Sequence, residues 1–131
     1  LSIQHAAQVN EAFQTLKSSL PRARYLLQLK GIAFDDEKET HLDPEFLMEQ
    51  MELREALADV RRESDPLAGL NRIMADIKSK QTIMQDQLRE LFAEDSEAKR
   101  LAAKQLVQKM QFLVRLQEEA EELEEELVTD L

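Results

Sequence analysis

Side chains that commonly carry chemistry are few in this sequence, and their spacing does not suit catalysis. The two histidines, His5 and His41, are far apart, and neither belongs to a recognisable metal-ligand pattern. Both read as structural or surface residues. Cysteine is absent, which excludes disulfides, thiolate metal sites and a cysteine nucleophile and fits a reducing compartment. Carboxylates are plentiful, but general acid–base work requires them in an enclosed, dry pocket. Here they fall on stretches that read as solvated helix faces. The run Glu118, Glu119, Glu121, Glu122, Glu124, Glu125 and Glu126 contains no positive residue, whereas residues 98–116 hold Lys99, Arg100, Lys104, Lys109 and Arg115 and no acid. That order opposes the helix macrodipole, which favours acids near the N-terminus. Basic residues nearby, or a partner, would compensate it. No phosphate loop, nucleophile elbow or zinc signature occurs. The reading is of a protein that is not an enzyme, with no catalytic residue, no metal site and no cofactor.

Composition says what must position these residues. The 131 residues include only two Gly and three Pro, which leaves little material for hairpins. The rest is rich in strong helix formers, so the expected class is all-α. An apolar fraction of 43% suffices for a packed core. The length suits one domain, or a small one with an appendage. A net charge of −10 argues against nucleic acid as a partner. No apolar run reaches the length of a membrane span, and no signal peptide is visible, so the expected setting is cytoplasmic, away from a membrane. The chain begins at Leu1 within a helical pattern and reads as a piece of something longer. Charge divides it: residues 1–31 carry four basic side chains and one acid, a net of +3, which leaves −13 for the remainder. Two units are expected.

In the first, residues 1–31, the spacing of Ala6, Val9, Phe13, Leu16 and Leu20 draws one apolar stripe along a helix. Ser18 and Ser19 interrupt it. Pro21 suits the first position of a short second helix that ends at Gly31. Residues 32–43, with Asp35, Asp36, Glu37 and Glu39, read as a linker or loop. In the second unit, residues 44–131, Asp43–Pro44 and Asp65–Pro66 each pair an N-cap with a proline at the first helical position, and a third start lies near Asp95–Ser96. Three helices are expected, at about 44–62, 66–92 and 96–129. The middle one carries two apolar rows, Leu67, Met74, Gln81, Leu88 and Leu70, Ile77, Met84, Leu91. The last has Leu106, Leu113, Ala120 and Leu127, with Leu116 and Leu123 between. Such rows bury one seam against neighbouring helices. Short connections make the arrangement an antiparallel three-helix bundle.

The first of these helices has an apolar surplus. Phe46, Leu53, Leu57 and Val60 fall within a sector of roughly 60°, the expected core stripe. Leu47, Met48 and Met51 lie together on the far side, with Ala58, Glu52 and Glu55 around them. One bundle core cannot bury both faces. Either the second face packs under the acidic loop or the N-terminal unit, or it is an exposed docking patch. Methionine suits docking because it is flexible and polarizable, and Glu52 and Glu55 would complement a basic partner. Phe112, off the centre of the last helix's seam, could join the patch if the first and third bundle helices are neighbours.

Both units resemble a known family. Val9-Asn10-Glu11-Ala12-Phe13-Gln14-Thr15-Leu16, then Pro21, Arg22, Arg24 and Tyr25, is similar to the last helices of a J-domain. Arg24-Tyr25-Leu26-Leu27, followed by Phe46-Leu47-Met48-Glu49-Gln50-Met51-Glu52-Leu53-Arg54-Glu55, resembles the HscB family of J-type co-chaperones, as does the Leu- and Glu-rich stretch Gln117–Leu127. The likeness implies a job in iron–sulfur cluster biogenesis. Family members bind the IscU-type scaffold protein through the C-terminal helical domain and present it to HscA, a DnaK-type ATPase chaperone whose ATP hydrolysis the J-domain stimulates. Carried over by position, the scaffold contacts would be Leu47, Met48, Met51, Glu52, Glu55 and Phe112. The stimulating His-Pro-Asp loop does not occur here, since His5 is followed by Ala6. As written, the chain should bind a scaffold without stimulating the chaperone. Truncating Met51 or Phe112 should then weaken docking with the melting temperature nearly unchanged. The alternative is a non-catalytic structural bundle that self-associates through the same face.

Overall fold

A computed structural model of the chain describes residues 16–34 and 43–130. Among the described residues four α-helices run in order: α1 (Leu16–Leu29), α2 (Pro44–Asp59), α3 (Pro66–Ala93) and α4 (Glu97–Thr129), with a 3₁₀ turn, Val60–Arg62, after α2. The three expected bundle helices are all present, and each start has its cap. Asp43 accepts from the Glu45 N–H at 3.0 Å, Asp65 from Ala68 at 3.2 Å and Ser96 from Lys99 at 3.1 Å. Such caps satisfy donors that the first helical turn leaves free. At the α3–α4 turn the Lys99 ammonium also pairs with Glu94, holding its exposed carboxyl below the ordinary carboxylate range.

The long helices α3 and α4 form an antiparallel hairpin that is the spine of the molecule. Leu70 packs with Ala120, Ile77 with Leu113 and Leu116, and Leu88 and Phe92 with Leu106, Val107 and Met110. Most of the expected seam is buried. Leu67, Met74, Met84, Leu91, Leu123 and Leu127 are half-buried at its margins. Full burial of a Leu, Ile or Met contributes about 1.5–3 kcal/mol. The polar member of the seam, Gln81, is satisfied: its amide donates to Gln117 at 2.8 Å, and Gln117 donates to Glu121 at 3.0 Å.

The two shorter helices lie against this hairpin at different levels. α2 packs Phe46 and Leu53 on the middle of α4, and Leu57 and Val60 nearer its end. α1 packs Leu20, Ala23, Leu26 and Leu27 against the half of the hairpin nearest its turn, over Ala103, Val107 and Met110. The break expected at Ser18–Ser19 is not there. α1 runs on through Pro21, which sits inside the helix. Proline there forgoes one backbone hydrogen bond, and burial of the apolar stripe on the hairpin offsets the loss. Gly31 ends the helix at φ +88°, a conformation glycine adopts without strain. Ile32 and Phe34 follow it onto the same core, so the start of the expected linker is a packed segment. His5, His41, the stripe from Ala6 to Phe13 and the acidic stretch Asp35–Glu39 lie outside the described residues.

Candidate docking surface

α2 separates its two apolar faces as the spacing predicts. Phe46, Gln50, Leu53 and Leu57 point into the body. Met48 and Met51 are each 63% exposed and Leu47 is 37% exposed. Glu52, Glu55 and Ala58 are exposed beside them. Six of the expected contacts thus divide into five on the open side of α2 and one, Phe112, on α4.

Two ion pairs fix how α2 lies on α4. The Arg54 guanidinium donates to both carboxylate oxygens of Glu119, at 3.1 and 3.2 Å, and Arg61 pairs with Glu126. Both join residues 65 apart. A constant offset means the helices run parallel and in step, which sets Leu47 level with Phe112. The Phe112 ring meets Phe46 edge-on, with centroids 6.4 Å apart and planes inclined at 70°. Phe112 therefore sits where the open face of α2 borders α4, as the adjacency argument expected. It does not stand free: half-buried, it packs against the core formed by Phe46, Ile77 and Leu113. Its truncation must lower stability as well as change the surface, which corrects the expectation of an unchanged melting temperature.

The electrostatics of the face are one-sided. Glu45, Glu49, Glu52, Glu55 and Asp59 are exposed along α2, whereas Arg54 and Arg61 are engaged with α4. These pairs engage two acids of the glutamate run on α4, Glu119 and Glu126. Lys109, 3.6 Å from Asp43, lies over the Phe46 ring at 5.5 Å, and Arg115 lies over Phe112 at 4.9 Å. The surface is an apolar strip of Leu47, Met51, Met48 and Phe112 with an acidic margin on α2 and the basic Lys109 and Arg115 on its α4 side. Such a strip suits a partner that is apolar at its centre and basic at its rim. Glu52 and Glu55 face solvent, a setting for charge complementarity. Among the described residues no group of His, Asp and Glu is arranged to hold a metal ion, and no helix is long and apolar enough to cross a membrane.

Sequence reasoning missed one buried residue of this region, Gln50, which is 4% exposed. Its signal was legible: it follows Phe46 by four and precedes Leu53 by three, so a polar side chain stood in the core stripe.

A family model described as the HSCB C-terminal oligomerisation domain matches residues 42–121. A co-chaperone protein HscB homolog of Vibrio cholerae serotype O1 (strain M66-2) is 43% identical over 129 residues, covering 98% of this chain and 73% of the relative. One from Shewanella halifaxensis (strain HAW-EB4) is 36% identical over 127 residues, covering 97% and 73%. The solved structure of chaperone HscB from Vibrio cholerae superposes with a TM-score of 0.73 at 41% identity, covering 95% of this chain and 71% of that one. Likeness of this degree, over nearly the whole length and through the helix that bears the exposed strip, places the chain in the HscB family of co-chaperones.

Proposed function

We propose that this chain is a cytoplasmic co-chaperone of iron–sulfur cluster biogenesis that binds an IscU-type scaffold protein and delivers it to an HscA-type, DnaK-like ATPase. Residues 44–131 are the scaffold-binding unit and residues 1–31 the end of a J-domain. The docking contacts are Leu47, Met48, Met51, Glu52, Glu55 and Phe112. The exposure of Leu47, Met48 and Met51 on a helix already anchored by its opposite face carries the reading. Apolar side chains left in water at one place are the usual mark of an interaction site. Stimulation of the ATPase belongs to a complete J-domain. Calorimetric titration of the chain with an IscU-type scaffold tests the docking step. Saturable binding that weakens with Met51→Ala supports it, and no heat change with a folded scaffold overturns it.

The description of the matching family model as an oligomerisation domain favours a second use of the same face, self-association. Light scattering over a concentration series separates the two. A dimer abolished by Leu47→Ala would assign the strip to a second copy.

A further inference from the structure

Two glutamines are buried among the described residues, and they differ in one respect. Gln81 is paired with Gln117. Gln50 is 4% exposed, and neither its Nε2 nor its Oε1 has a hydrogen-bond partner. A buried amide without a partner loses its hydration and gains nothing in return. A Leu or Met would fill that position of α2 without the penalty, so the amide needs another explanation.

Its place supplies one. Gln50 lies one turn after Phe46 and Leu47 and directly before Met51. The 65-residue offset sets it level with Arg115, whose guanidinium covers the Phe112 ring. With about 100° per residue it is about 40° from Phe46 on the core side and about 60° from Leu47 on the open side. Gln50 thus stands in the α2–α4 seam, at the border between the core and the apolar strip.

We propose that Gln50 is a specificity-determining residue of the docking surface: its amide, stored unpartnered in the seam, turns outward beside Leu47 and hydrogen-bonds a main-chain peptide group of the scaffold as that partner covers the strip. This rests on the docking reading above. A peptide group offers one carbonyl and one N–H, which match the Nε2 donor and the Oε1 acceptor that Gln50 leaves unused. A partner that is apolar at this point leaves the amide as unpaired as it is in the free chain and forgoes the bond that a peptide group gains, so the two partners differ in affinity by that bond. The apolar strip then supplies adhesion, the acidic margin favours basic partners, and Gln50 asks for exposed backbone.

The test compares the chain with its Gln50→Met variant, close in shape but without the amide, by thermal melting and by titration with an IscU-type scaffold. The variant is expected to melt about 4 °C higher, since the unpaired amide is gone, and to bind about tenfold more weakly. A purely structural role would move only the first. Unchanged or tighter binding by the variant, while the unmutated chain binds, overturns this inference alone. Failure of the unmutated chain to bind overturns the docking reading and this inference with it. If Gln50→Met fails to fold, the side-chain NH₂ resonance of Gln50 in the unmutated chain decides. A downfield shift on adding scaffold supports the bond, and an unmoved resonance overturns it.

Discussion

Two helices of this molecule carry apolar side chains on more than one face, and the two surpluses meet different fates. On α4, Ala103, Val107 and Met110 lie beside the row Leu113, Leu116 and Ala120 rather than on it, and they are buried in one cluster with Leu20, Ala23, Leu26 and Leu27 of α1 and with Leu88 and Phe92 of α3. On α2, Leu47, Met48 and Met51 turn away from the Phe46–Leu53–Leu57 stripe, and they are exposed. Periodicity reveals a second greasy face in both cases. Only the fold shows that the first is an internal joint and the second a surface. The composition of the faces already differs. The covered one is compact and mixes small with large side chains, as close packing requires. The open one is built of long, flexible side chains with acids beside them, as adaptable recognition requires.

The difference is measurable. Met110→Ala removes a fully buried side chain beneath α1 and should lower stability by about 2–5 kcal/mol, read as a fall in melting temperature. Met51→Ala should reverse the pattern: binding to an IscU-type scaffold falls by about 1–3 kcal/mol in calorimetry, while stability changes by less than about 0.5 kcal/mol. Equal losses of stability in the two variants would erase the distinction between joint and surface. Phe112→Ala belongs between them, lowering both quantities. Phe34→Leu keeps apolar volume at the α1 joint but removes the ring over which Arg24 and Lys104 lie, at 4.7 and 5.7 Å. It should cost about 0.5–1 kcal/mol in denaturant unfolding and leave scaffold affinity unaltered. Arg54→Ala loosens the seat of α2 on α4 without touching the strip. Its exposed pair with Glu119 makes the expected loss about 0.2–1 kcal/mol, shrinking in high salt.

Much of this was legible in the residues. Asp43–Pro44, Asp65–Pro66 and Ser96 announced the three bundle helices because capping and proline chemistry act locally. The exposed strip was legible because Leu47, Met48 and Met51 cannot share an azimuth with Phe46 and Leu53. The continuity of α1 through Pro21 was not legible, since a tertiary contact, burial of Leu26 and Leu27 on the hairpin, overrides a local breaker. Nor was the burial of Ala103, Val107 and Met110, which depends on where a helix distant in sequence comes to rest. Phe112 lies level with Leu47 by register, and its half-burial depends on a neighbouring ring, Phe46, that no single-helix projection includes.

One contact carries a mechanical consequence. At the hairpin turn Lys30 lies 3.6 Å from Asp95 and over the ring of Phe92, and its carbonyl accepts from Arg100 at 3.2 Å. The end of α1 is thereby clamped to the turn by charge, ring and backbone together. α1 meets α4 around Val107, while Leu53 of α2 stands level with position 118, about 16 Å further along the axis. The spacing between these two attachments is set by the pitch of a helix, so the hairpin behaves as a ruler. Anything docked on α2 would keep a fixed distance and heading relative to α1.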